Sequence, residues 1–172
     1  MSLTGCLLVA SPTLFDPNFT SSVVLVIHHG DPGAVGVVLN RPTTLSPDRL
    51  PSGWPVSDPV HAGGPVEPEI AIALAESDED HGSWERVGPG MWLADLEGPP
   101  TPVRRLRIFS GYAGWGPGQL EDEISRGDWI VADATPEDVF TADTSGLWRL
   151  VLRRQPDPIR LLAGYPSDPS LN

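Results

Sequence analysis

The chain contains no lysine: all eleven basic residues are arginine, set against 23 acids, for a net charge of −12. That absence excludes every chemistry built on a lysine side chain, from the phosphate-gripping lysine of a P-loop to Schiff bases and Ser–Lys hydrolysis. The shortage of cations disfavours direct binding of a nucleic-acid backbone, whose affinity comes largely from clustered Lys and Arg. Anionic membrane surfaces are disfavoured for the same reason. A DNA-binding regulator would need an arginine face from Arg104, Arg105 and Arg107, or from Arg149, Arg153 and Arg154. A single cysteine, Cys6, rules out an intrachain disulfide and a multi-cysteine zinc site, and points to a reducing, cytoplasmic setting. Leu3-Thr4-Gly5-Cys6 looks like a lipoprotein processing site, but only five residues precede the cysteine. A signal peptide needs a basic segment and about 7–15 apolar residues there. No apolar run approaches the roughly 20 residues of a membrane-spanning helix. Histidine is scarce too, at four residues, and adjacent His28 and His29 on a strand point to opposite faces. Neither HExxH nor a GxSxG elbow occurs. No catalytic residue, metal or cofactor is therefore assigned.

What is present suggests one loop-rich domain over residues 1–172, with 40% apolar residues, six tryptophans, and 18 glycines and 20 prolines between apolar runs. Gly5–Ala10 reads as a strand. Ser22–His28 and Ala34–Asn40, β-branched runs around Gly30-Asp31-Pro32-Gly33, form a hairpin covered on both faces. Prolines at 42, 47, 51, 55 and 59 predict a long surface excursion. The chain re-enters at Pro59–Ala62, turns through Gly63-Gly64-Pro65 and runs apolar over Ile70–Ala75, before an acidic loop at Glu76–His81. Val87–Gly90 and Met91–Ala94 suggest a second hairpin. Val103–Ser110 is a strand with Leu106 and Ile108 on one face and Arg105 and Arg107 on the other. A helix to about Arg126 closes on Gly127, and Trp129–Ala134 is another strand. Thr135-Pro136-Glu137-Asp138 starts a short helix. Asp143 is the expected cap of a further helix, Leu147–Arg154, and Ile159–Ala163 reads as a last strand. Strands outnumber helices and the helices come late, which predicts an α+β fold with a mainly antiparallel core.

The segment from Gly111 to Leu120 reads as a glycine-rich strand-to-helix turn. Gly111, Gly114, Gly116 and Gly118 permit sharp turning and close approach. Gly116 is the expected helix cap, exposing the N–H groups of Gly118 and Gln119, but Glu121, Asp122 and Glu123 follow and would repel a phosphate. Tyr112 and Trp115 either stand exposed as a stacking platform or plug the fold beneath the helix. Asn40 and Arg41 end a buried strand next to a loop, where functional side chains gather, or act structurally.

The stretches LLVASPTLFDPNF (Leu7–Phe19), GAVGVVLNRP (Gly33–Pro42), AGGPVEPE (Ala62–Glu69), GYAGWGPGQLEDEI (Gly111–Ile124) and DPSLN (Asp168–Asn172) resemble the YqgE/AlgH family of bacterial proteins nearly end to end. The resemblance implies a compact α+β fold, a cytosolic protein, and no established biochemical activity or catalytic residues. Members are often labelled putative transcriptional regulators; the charge balance here favours an indirect route. Where the family is expected to carry an acid before the histidine of the first hairpin, this chain has His28.

The expected function is a ligand- or partner-binding domain, its unknown ligand a protein or small molecule. Its surface would include Asn40, Arg41, Gly63, Gly64, Gly111, Tyr112, Gly114, Trp115, Gly116, Gly118 and Gln119. An uncharacterised hydrolase with a histidine base is the alternative. It needs a histidine bonded to a carboxylate or hydroxyl within a cleft.

Overall fold

A computed structural model describes residues 1–48, 53, 54, 56 and 58–166. Among these residues nine strands follow one another as β1 (Cys6–Ala10), β2 (Val23–Gly30), β3 (Gly33–Val38), β4 (His61–Ala62), β5 (Val66–Glu76), β6 (Glu85–Gly88), β7 (Met91–Leu93), β8 (Arg105–Trp115) and β9 (Trp129–Asp133). The helices are α1 (Gln119–Ser125), α2 (Pro136–Phe140) and α3 (Leu147–Arg153), with a 3-10 helix over Ile159–Gly164. The sheet runs β6-β7-β5-β8-β3-β2-β1-β9, antiparallel except that short β4 lies parallel to β8. This is the α+β fold expected from the sequence.

The apolar runs of β1–β3 explain their central place. One side chain set (Leu7, Val9, Val23, Leu25, Val37) enters a core that also takes Leu74, Met91 and Phe109 from the other half of the sheet, closed by α2 and α3. The alternate set (Leu8, Val24, Val26, Val38) faces a second core, closed by Leu120 of α1 and by Phe19. A third cluster gathers Trp54, Trp84, Trp92, Leu106 and Ile108 on the outside of the other half. The sheet thus curls around the first core. Gly5 marks the place where the far edge comes round: it has φ 84°, and a Cβ there would lie 2.5 Å from the Val87 carbonyl of β6.

Strand β8 joins the two halves. Its first part, through Ser110, pairs with β5, while Ala113–Trp115 pairs with β3. At the junction Gly111 adopts φ 72°. One extra left-handed residue reverses the alternation, so Phe109 and Tyr112, three apart, both face the inner core.

Four local expectations are corrected. The glycine-rich turn is mostly strand: β8 continues to Trp115, because the ladder with β3 fixes Ala113–Trp115 as extended chain, and only Gly116–Gly118 turns. The cap of α1 is Gly118 (φ 73°), not Gly116, and Pro117 precedes the helix. Asp143 does not cap α3, whose cap is Gly146; its carboxylate instead accepts the Ser145 N–H (3.0 Å) and hydroxyl (2.6 Å). Ile159–Ala163 is not a strand. Pro156 and Pro158 supply the carbonyls that start a 3-10 turn, and Arg149 holds its end by donating to the Ala163 carbonyl.

The box at Thr135 forms as expected. The Asp138 carboxylate accepts the Thr135 N–H at 2.8 Å and also pairs with Arg154. Of the proline-rich excursion, Pro51 and Pro55 lie outside the described residues, as does the closing DPSLN.

Candidate recognition site

Three segments singled out in the sequence converge where β4 crosses onto β8. The Gly63 N–H donates to the Ser110 carbonyl and the Val38 N–H to the Gly63 carbonyl, both at 2.8 Å, so Gly63 is threaded between β3 and β8. No side chain fits: a Cβ on Gly64 would overlap the Tyr112 carbonyl, and one on Gly111 would sit 2.7 Å from the Gly64 oxygen. The glycines are therefore required by close approach of three backbones. Asn40 and Arg41 sit beside this crossing and tie down the loop before β2. Asn40 accepts the Val23 N–H (3.0 Å) and donates to the Ser21 carbonyl (2.9 Å), and Arg41 donates to the Thr20 carbonyl (2.7 Å). Ser21 is held at φ 54° by this latch. Both side chains are thus structural in what they touch.

Over the crossing, β5 leaves its partner. Val66 opposes Tyr112 and Ala71 opposes Ser110, so residues 67–70 stand against Gly111 alone. All of 67–71 is exposed. Glu67 adopts φ 45°, a left-handed conformation that costs a non-glycine residue about 1–2 kcal/mol. The hydroxyl of half-buried Tyr112 donates to the Glu67 carboxylate at 2.8 Å, and the Ser110 hydroxyl donates to the Pro68 carbonyl. That bond to the Glu67 carboxylate raises the Tyr112 pKa. Tyr112 therefore presents its polar end to this bulge and its ring to the core.

Trp115, Gly116, Gly118 and Gln119 belong to a different place, at the far end of β8. Trp115 is 6% exposed. Of the two alternatives the sequence left open, the structure buries it. Its indole N–H and that of Trp129 both donate to one oxygen of Glu123, each at 2.8 Å, and Phe19 stacks on the Trp115 ring and meets the Trp129 ring edge to face. Gln119 bonds the other Glu123 oxygen (3.0 Å) and accepts the Gly116 N–H (3.0 Å). Gly114 pairs with Val35 in the ladder, and its nearest neighbour, the Tyr112 ring, would lie 3.8 Å from an added Cβ.

Gly118 also lines a cleft of about 490 Å³ with Ser2, His29, Gly30, Asp31 and Glu121. Here His29 bonds Glu121 at 2.7 Å while its Nδ1 accepts the Leu3 N–H at 3.0 Å. Accepting at Nδ1 places the proton on Nε2, which donates to Glu121. The Glu121 carboxyl is held below its usual range first by its own backbone N–H and then by His29. This is the histidine–carboxylate pair in a cleft that a hydrolase would need. Its second nitrogen, however, has no lone pair left for a substrate proton. Among the described residues no group of three or more His, Cys, Asp or Glu could hold a metal ion, and no helix is long and apolar enough to cross a membrane.

Sequence reasoning missed Glu67 and Glu123. Neither carries a local signal: Glu67 matters through its backbone angle, and Glu123 through two tryptophans placed by different strands. The first of the two arginine faces pairs with acids remote in sequence. Arg104 pairs with Asp78, Arg105 with Glu76 (2.5 Å) and Glu137 (3.0 Å), and Arg107 with Asp58 (2.8 Å).

The AlgH-like family model matches residues 7–160. A UPF0301 protein of Streptomyces avermitilis is 46% identical, covering 99% of this chain and 96% of its own length; one from Thermobifida fusca is 44% identical, covering 100% and 96%. Among solved structures, the crystal structure of a Corynebacterium diphtheriae protein matches with a TM-score of 0.84 at 30% identity, covering 94% of this chain and 91% of that one. The solution structure of the AlgH protein from Pseudomonas aeruginosa matches with a TM-score of 0.71 at 27% identity, covering 96% and 95%. With most of the chain matched by the family model and by relatives well above 30% identity, the chain belongs to the UPF0301 (YqgE/AlgH) family.

Proposed function

We propose that this chain is a partner-binding domain whose recognition surface is the β5 bulge over the β4–β8 crossing, acting in the cytoplasm and regulating, where it regulates, through a bound protein or small ligand. The observation that carries this reading is Glu67: an exposed, non-glycine residue in a left-handed conformation, its carboxylate held by Tyr112. Glycine would occupy that backbone without cost. A strained residue kept at the surface supports a role that stability alone does not reward. Direct nucleic-acid binding is a poorer fit, since Arg104, Arg105, Arg107 and Arg154 already pair with carboxylates. The test is a thermal-shift screen of nucleotides, anions, metabolites and short peptides against the parent and a Glu67→Gly variant. A ligand of this surface raises the parent Tm by linkage and raises that of the variant less. A screen in which nothing shifts the parent, or in which every active compound shifts both proteins equally, overturns the reading.

A further inference from the structure

Along β5 the direction of each backbone group can be followed from its bonds. The Ala73 carbonyl accepts the Ala94 N–H and the Ser77 N–H donates to the Gly90 carbonyl, so odd positions face the β7 side. The Glu76 carbonyl accepts the Arg104 N–H, so even positions face the β8 side. By this period of two, Ala71 turns its N–H and C=O outward on the β7 side. Ser110, opposite Ala71, agrees: its carbonyl is directed away from β5, to the Gly63 N–H. β7 itself pairs only with Leu74–Glu76, and the bond from Ala94 is the last rung. Beyond it the outer edge of β5 has no backbone partner among the described residues. It is a short open edge, exposed over 67–71, with Ile70 42% exposed beside it.

We propose that this edge takes an extended segment of a partner protein as an added strand, and that the segment carries Lys or Arg beside β-branched residues. The proposal rests on the reading of this face as a partner-binding surface and adds its mode and chemistry. Strand addition supplies main-chain hydrogen bonds to an exposed edge, while side chains choose the partner. Glu67 and Glu69 are exposed on the edge and Asp95 follows the last rung, within a chain of net charge −12. A second copy of this chain would set its own Glu67 and Glu69 against these acids, and like charges on paired strands repel. A basic segment meets them favourably. Pro68, without an N–H, and the left-handed Glu67 limit the docking strand to the stretch from Glu69 to Ile72.

The experiment uses the full chain and three synthetic peptides: acetyl-Lys-Thr-Val-Thr-Val-Lys-amide, the same peptide with both lysines changed to glutamate, and the same with its first valine changed to proline. Backbone amide shifts and hydrogen exchange are followed by NMR. With nine-tenths of the protein bound to the lysine peptide, exchange of the Ala71 N–H slows about tenfold, because only the unbound fraction exchanges. The glutamate and proline peptides bind more weakly, and a Glu67→Lys, Glu69→Lys double variant loses about tenfold in affinity for the lysine peptide by charge reversal. An Ala71 N–H already protected in the unbound protein overturns the proposal. So does equal binding of the proline peptide, an unaffected double variant, or no binding. Shifts at Glu67 and Tyr112 without protection of Ala71 overturn strand addition while leaving the partner-binding reading standing. A blank thermal screen as well removes both.

Discussion

Arg107→Met tests the account of how this fold holds its second half. Arg107 is 1% exposed, in the middle of β8, with its guanidinium at the end of α2. It donates to the carbonyls of Val139 (3.0 Å), Thr141 (2.8 Å) and Phe140 (3.4 Å), and to Asp58 (2.8 Å). The last carbonyls of a helix have no partner within it, so this one side chain caps α2 from beneath. Methionine keeps the aliphatic packing and removes every donor. Val139 and Phe140 are buried, and each buried carbonyl left unpaired costs about 1–3 kcal/mol. With the charged pair broken as well, the expected loss is about 3–5 kcal/mol. That is a large part of the 5–15 kcal/mol typical of a domain, and corresponds to a fall in Tm of roughly 10 °C. Asp58→Asn is the contrast. It keeps an oxygen that can accept from Arg107 but leaves that buried guanidinium without its counter-charge, so a smaller loss of about 1–3 kcal/mol is expected. Urea unfolding at pH 7, followed by tryptophan fluorescence, gives both values, with an unchanged m showing that the unfolded states compare. An Arg107→Met protein within about 1 kcal/mol of the parent would refute the capping account, because even one orphaned carbonyl costs that much.

Gly64→Ala and Gly111→Ala each force a Cβ against backbone, at φ 154° and φ 72°. Each should cost more than the roughly 1 kcal/mol of an ordinary glycine replacement, whereas Gly114→Ala, where there is room, should be nearly neutral in the same urea assay. Glu123→Leu leaves the indole N–H groups of Trp115 and Trp129 without their acceptor. A loss of about 2–4 kcal/mol follows from two such groups, with altered tryptophan emission; unchanged stability would contradict it. His61 is 3% exposed and donates from Nδ1 to the Pro59 carbonyl (3.1 Å), and burial, then the charge of Arg107, lowers its pKa. The unfolded chain then binds the proton more readily, so this contribution is fully present above the unfolded value near 6.5 and is lost as pH falls from there toward the lowered folded value. Stability measured from pH 7.5 to 5 should fall less steeply in His61→Gln than in the parent, and equal slopes would contradict the assignment.

Local chemistry was legible wherever neighbouring residues decide the outcome. The β-branched runs of Val23–Ile27 and Ala34–Val38 pair as a hairpin around a Gly/Pro turn, and Thr135-Pro136-Glu137-Asp138 caps its helix, because the atoms involved lie within a few residues of one another. The motifs that carry the family resemblance are likewise a property of the sequence. Local propensity misled where a distant ladder or carbonyl intervened. Ala113–Trp115 reads as part of a turn by the glycines around it, yet β3 supplies a partner strand that makes it extended. Ile159–Ala163 reads as a strand by its apolar residues, yet two prolines and Arg149 wind it into a 3-10 helix. The candidate site divided in the same way. Gly63, Gly64, Gly111 and Tyr112 come together at one crossing, while Trp115 and Gln119 go to the Glu123 clamp along the strand. By itself the sequence determined the fold class, the family, the central hairpin and the scarcity of cations, since composition and short-range pattern fix these. Only the tertiary structure decided that Trp115 is buried, that Arg107 caps a helix, and that the outer edge of β5 around Ala71 has no backbone partner among the described residues. Each of these depends on which backbone groups, far apart in the chain, find one another when the sheet curls.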